Sequence, residues 1–377
     1  MNIALVCCLG LLAPQQWVPG PGDRVVVLGG ALIEQEIRTA RWETEVIRRM
    51  PGCSLVWRNL AWSGDTVRGE ARAVFGTPND GFNALVKETL RLKPNVLLLA
   101  YGLNESFAGE KGLGEFRRDY ERLIQALVPT GARLVFLTAP LMPKVSARLP
   151  DPEQQNRNIR AYNGVVREIA SGKKCQVVEL ENLMDGIQSQ SDSPNGIHLT
   201  ATGYEKTAGR FAKALGLVED SPWEVELETG KARVVSGPIR VTREGGSLKV
   251  SSDLVPPANQ TLRFRWKAAE AGRYEFESGG IKSVVNNGPD GLVADLPVGR
   301  AYENLRQLVA DKDMLFFHRW RPQNETYLFG FRKHEQGNNA REIPMFDPLV
   351  DQAEKKIAEA ARFNTEITWK SLAGAKQ

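Results

Sequence analysis

From Asp23 to about Leu217, short runs of apolar, β-branched residues alternate with amphipathic stretches, which is the pattern of a parallel sheet covered by helices on both faces. The strand-like runs are Arg24 to Gly29, Ser54 to Ala61, Asn95 to Gly102, Arg133 to Pro140 and Cys175 to Leu180. Between them Leu113, Phe116, Tyr120, Leu123, Ile124 and Leu127 fall on one helical face, as do Ile159, Tyr162, Val165, Val166 and Ile169. A helix is expected right after Gly30, with Glu34 and Glu36 near its start and Arg48 and Arg49 near its end, a charge order that suits its dipole.

After Leu217 the period changes to two. Trp223, Val225 and Leu227 alternate with polar residues, as do Leu262, Phe264 and Trp266, and Gly, Pro and Asn separate the runs. This predicts a small antiparallel β module over 218–300. Helical spacing returns over 301–317 and 348–363, on either side of an irregular aromatic and basic stretch, so 301–377 is expected to be a helical segment that packs back on the first domain. The fold class is then α/β: a three-layer α/β/α domain over 21–217 with a five-stranded parallel sheet, followed by these two additions.

The first 20 residues hold an apolar run of about ten, too short to span a bilayer, and read as a secretory signal peptide. The absence of Lys or Arg there leaves a buried N-terminal strand as the other reading. Export to the periplasm or the outside is the expectation, with no integral membrane segment after signal removal. Cys7 and Cys8 would leave with the signal. Cys53 and Cys175 precede strands on opposite edges of the expected sheet, which argues against a disulfide, and neither has metal-ligand spacing. No metal and no cofactor are expected. Lys and Arg number 49 against 45 Asp and Glu, interspersed, which argues against nucleic-acid binding.

Ligands of an open parallel sheet bind at the carboxyl ends of its strands. Four segments stand there: Gly29-Gly30-Ala31-Leu32, Asn59 to Asp65 around Gly64, Gly102-Leu103-Asn104-Glu105, and Asn195-Gly196-Ile197-His198. In this order they resemble the sequence blocks of the SGNH/GDSL hydrolases, over roughly Arg24 to Leu217. The resemblance implies a flavodoxin-like domain and an ester hydrolase ancestry, plausible on O-acyl carbohydrates. It gives Gly64 and Asn104 the oxyanion hole and His198 the base. Two positions depart from the pattern: GDSL reads GGAL, with Ala31 in the serine's place, and the acid of D-x-x-H is Asn195. A methyl group cannot attack a carbonyl.

Each candidate has a plainer reading. His198 could cap a helix, and Asn104 and Gly64 could be turn formers. Ser63 belongs to a loop with no base at defined spacing, and Asp65 reads as solvated or turn-stabilising. In the C-terminal stretch Arg319, Trp320, Arg321 and Asn324 are candidate ligand-binding residues, since aromatics beside arginines suit sugars or carboxylates. The alternative is a wrapping segment whose arginines pair with acids. Three functions stay open: an atypical hydrolase with water activated by His198, a non-catalytic relative that binds a small-molecule or glycan ester, and a structural protein with a vestigial cleft.

Overall fold

The computed structural model describes residues 16–50, 52, 54–228, 231–287, 291–322, 328, 332, 334 and 339–372. Cys7, Cys8, Cys53 and most of the expected signal segment lie outside them. Strands β1 (Arg24–Gly29), β2 (Val56–Asn59), β3 (Val96–Ala100), β4 (Arg133–Leu137) and β5 (Gln176–Val178) form a parallel sheet in the order β2-β1-β3-β4-β5. Strand β1 is apolar from Val25 to Leu28 because both of its faces are covered: Val25 and Val27 enter one core, Val26 and Leu28 the other.

The first core is closed by α1 (Ala31–Thr39), α2 (Arg41–Arg48) and α6 (Ala201–Ala214). The second is closed by α3 (Pro78–Arg91), α4 (Leu113–Leu127) and α5 (Glu153–Gly172), the last two through the apolar faces legible in the sequence. The single helix expected after Gly30 is broken in two. Ala40 takes a left-handed conformation with φ of 52°, and the Glu36 carboxylate replaces the missing cap by accepting the Trp42 N–H at 2.7 Å.

The β module contains β6 (Trp223–Glu228), β7 (Lys231–Ser236), β8 (Arg240–Glu244), β9 (Ser247–Ser252), β10 (Thr261–Trp266), β11 (Arg273–Ser278), β12 (Ile281–Asn286) and β13 (Leu292–Pro297). Helices α7 (Ala301–Trp320) and α8 (Phe346–Ala360) follow and pack together, with α7 against α1, α2 and β2. Two features differ from the sequence expectation. First, the segment expected to be helical to its end closes in a strand, β14 (Phe363–Leu372), which pairs between β9 and β11. Phe363 and Ile367 are buried at two-residue periodicity, so the sheet gains an inner strand with a core face. Second, β6 and β10 pair in parallel within an otherwise antiparallel module. The two sheets, β13-β10-β6-β7 and β12-β11-β14-β9-β8, enclose one core.

Helix α7 carries a buried charge cluster into its seat. Lys312 is 1% exposed and places Nζ 2.5 Å from Glu43 and 2.6 Å from Asp313, with Glu36 buried beside them. Three carboxyls thus face one ammonium, and burial raises the Glu36 carboxyl to about 8 and holds Glu43 well above the carboxylate range. Among the described residues no helix is long and apolar enough to cross a membrane.

Candidate functional site

The ends of β1, β2 and β3 converge on Gly30. A Cβ added there would stand 3.0 Å from Asn104 Nδ2 and 3.8 Å from the Asp65 carbonyl, so the close approach of three loops depends on the missing side chain. Gly30 precedes α1, and Ala31 is the first residue of that helix. Asn104 donates from Nδ2 to the Asp65 carbonyl at 2.7 Å and so ties the third loop to the second. Gly64 adopts φ of 79°, a left-handed turn between Ser63 and Asp65.

A cavity of about 30 Å³ opens where these loops meet, lined by Gly30, Ala31, Gly102, Asn104, Glu105 and Thr138 among others. That is room for a water molecule or a group of acetyl size, not for a long acyl chain. Of the sequence candidates, Ala31 and Asn104 line this cavity; Gly64, Asn195 and His198 do not.

His198 sits on a loop organised from within. Thr200 caps α6 by accepting the Gly203 N–H, Ser193 donates to the His198 carbonyl at 2.6 Å, and the Gly196 N–H donates back to Ser193 at 2.8 Å. Thr200→Ala should therefore lower stability by about 1 kcal/mol in urea unfolding, the usual cost of losing such a cap; an unchanged midpoint would count against the capping role.

Asn195 Oδ1 accepts two backbone N–H groups, those of Ile197 at 3.0 Å and His198 at 2.9 Å. These bonds fix which way the amide points, and its NH2 then faces His198 Nδ1 at 2.9 Å. Nδ1 must accept, so the neutral ring carries its proton on Nε2. A neighbouring acid, Asp192, cannot take Asn195's place, because both of its oxygens accept from Lys206 Nζ at 2.8 Å.

The groups that sequence reasoning undervalued lie under the cavity. Asp65 is 1% exposed, not solvated: its Oδ2 accepts from Arg72 Nε at 2.8 Å, and burial raises its carboxyl in spite of that partner. Arg72 also donates to the Leu60 carbonyl at 2.7 Å and lies between the rings of Trp62 and Trp320. Tyr101 is buried beside this pair, with its hydroxyl held well above the usual phenol range by burial. Glu105 accepts the Val67 N–H at 2.9 Å and the Gly102 N–H at 2.8 Å. Its only sequence signal was its place beside Asn104.

The C-terminal candidates are held by protein partners. Arg319 pairs with Asp347 at 2.8 Å, Trp320 packs edge-on against Trp62, and Arg321 meets Glu34 at 2.5 Å while stacking 3.4 Å over Trp62. Ser63 donates its N–H to the same Glu34 at 2.5 Å. Arg72, Arg319 and Trp320 border a cleft of about 260 Å³. Asn324 lies outside the described residues. Among the described residues no cluster of three or more His, Cys, Asp or Glu is placed to hold a metal ion.

The model of the GDSL-like lipase/acylhydrolase family matches residues 19–206. Among solved structures, a gut microbial diltiazem-metabolizing enzyme superposes with a TM-score of 0.63 at 12% identity, covering 95% of this chain and 100% of its own, so the shared fold extends through the β module and the C-terminal helices. A lipase/acylhydrolase from Enterococcus faecalis (TM-score 0.38, 19% identity) covers 51% of this chain and 96% of its own. A catalytic mutant of an acetylxylan esterase from Geobacillus stearothermophilus (TM-score 0.39, 15% identity) covers 54% and 98%. No curated protein matches. With its parallel sheet and this family match, the chain belongs, through residues 19–206, to the GDSL-like lipase/acylhydrolase family.

Proposed function

We propose that this cleft binds a short O-acyl group on a carbohydrate and holds it without forming an acyl-enzyme. Ala31 stands in the nucleophile's place and offers only a methyl group, while Asn104 lines the cavity as an oxyanion donor and Gly64 is the second donor that the family resemblance implies. The observation that carries the reading is the Asn195 amide, which presents NH2 to His198 Nδ1 and leaves Nε2 protonated. A ring in that form donates a hydrogen bond and cannot accept a proton at Nε2, so it does not activate water either. The cavity volume favours an acetyl-sized group. Trp62, Trp320, Arg319 and Arg321 border a separate cleft of about 260 Å³ whose aromatic and basic lining suits a sugar carrier. We place the protein outside the cytoplasm, on the apolar run of its first 20 residues.

The test is calorimetric titration with acetylated and deacetylated xylo-oligosaccharides, beside a sensitive assay for released acetate. The acetylated form should bind at least about tenfold more tightly, with no turnover in the native protein or in His198→Ala. Turnover that disappears in His198→Ala would replace this reading with a water-activating hydrolase.

A further inference from the structure

Two loops have to stay in register for the cleft to exist: 60–69 after β2, which carries Gly64, and 101–108 after β3, which carries Asn104. Neither loop is paired to the other as a strand, and their connection runs through side chains. Asn104 supplies one bond, to the Asp65 carbonyl. The next residue supplies two more: Glu105 Oε1 accepts from Val67 N in the far loop and Oε2 from Gly102 N in its own. Ser106 completes the near loop, its N–H donating to the Gly102 carbonyl at 3.0 Å and its hydroxyl to the Leu103 carbonyl at 2.6 Å.

We propose that Glu105 is a positioning residue that clasps the two oxyanion loops together, and that its protonation loosens the clasp and weakens ligand binding. This rests on the cleft being the ligand site argued above. A carboxylate suits two N–H donors because both of its oxygens accept. Adding a proton turns one oxygen into a donor that faces an N–H, so one of the two bonds is lost.

The surroundings put that change within reach of ordinary conditions. Glu105 is half-buried as a residue, and the loss of solvent around its carboxyl pushes it up to about 7 against the backbone N–H bonds that lower it, with Asp65 adding to the rise. The charged and titratable groups around it are Asp65 and Arg72 from the loop after β2, Tyr101 at the end of β3, Tyr120 of α4 and Tyr162 of α5. The tyrosines stay neutral, since burial raises each of them, and Arg72 is paired with Asp65 at 2.8 Å. Of the two carboxyls in this set, both raised by loss of solvent, Glu105 is the one that spans the loops, and it is held up to about 7. The carboxylate form, and with it the clasp, is complete above about 7 and is lost as pH falls through that value.

Glu105→Gln places an amide NH2 where the protonated oxygen would be and fixes the loosened state. In the full-length protein, the native affinity for an acetylated xylo-oligosaccharide should rise about tenfold from about pH 6 to about pH 8, and the Gln variant should stay flat at the weaker value. At one fixed pH, hydrogen exchange across 64–69 and 101–107 should be faster in the variant than in the native protein. A variant with native affinity, native pH dependence and protected amides would overturn the proposal.

If the native protein binds no acylated sugar at any pH, the functional reading falls, and the clasp is judged on exchange alone: lost protection keeps it, retained protection removes it. If the variant does not fold, the native protein decides. Its Val67 and Gly102 amide shifts should titrate together near neutral pH, and independent or absent titration would overturn the clasp.

Discussion

Restoring a serine at position 31 is expected to give almost no esterase, while the Ala31→Ser, Asn195→Asp double variant should hydrolyse acetylated esters about 10⁴-fold faster than Ala31→Ser alone. A serine there would stand in the first turn of α1, lining the cavity beside Asn104. Its hydroxyl would still lack a base, because the Asn195 NH2 occupies His198 Nδ1 and leaves the proton on Nε2. In Asn195→Asp one carboxylate oxygen keeps the Ile197 and His198 N–H bonds, and the other accepts a hydrogen bond from Nδ1–H. The ring then exposes a bare Nε2. The magnitude follows the cost of the same acid-to-amide change in a Ser-His-Asp triad. Acetate release from acetylated model esters, measured on both single variants and the double, decides the matter. If Ala31→Ser alone comes within about tenfold of the double variant, the amide does not set the tautomer.

The second large effect is on stability. Lys312→Met should cost about 3–5 kcal/mol near pH 8, because it removes the cation that Glu43 and Asp313 share in the seat of α7. The loss should be smaller in acid than at pH 8, because Glu43, held above the carboxylate range, is protonated there and needs no cation. The native protein should show the same sign in weaker form. Glu36 titrates at about 8 when folded, against an ordinary value of 4.5, so the folded state binds the extra proton between those values. The Glu36 contribution to native stability therefore falls as pH rises from about 4.5 to about 8 and levels off above it. Urea unfolding at three pH values, followed by the fluorescence of the buried Trp42 and Trp57, measures both curves. A loss under about 1 kcal/mol that does not vary with pH would show that the cluster is not buried as a charged unit.

The parallel sheet was legible because its strands are buried on both faces: β1 occupies the residues its apolar run marks, and the amphipathic faces of α4 and α5 lie on one core. What escaped depended on distant partners. Nothing local to Ala40 signals a left-handed residue, since the cap that permits it comes from Glu36. The last strand was hidden beside a helix, and its period-two burial exists only because β9 and β11, far back in the chain, receive it. Asp65 read as solvated because its burial needs Arg72, which is in turn enclosed by Trp62 and by Trp320 of α7. At the site, residue types and strand-end positions could be read in advance. The direction of the Asn195 amide could not, because two backbone N–H groups of the folded loop set it.

The central claim is that His198 is held as a donor, and nitrogen NMR of the imidazole tests it most directly. With the native protein uniformly labelled and His198→Ala used to assign the signal among three histidines, the shifts of the two ring nitrogens report which one carries the proton. The account predicts a bare Nδ1 and a protonated Nε2 in the neutral ring, with the reverse in Asn195→Asp. A native ring with its proton on Nδ1 and a bare Nε2 would make His198 a base and contradict the account.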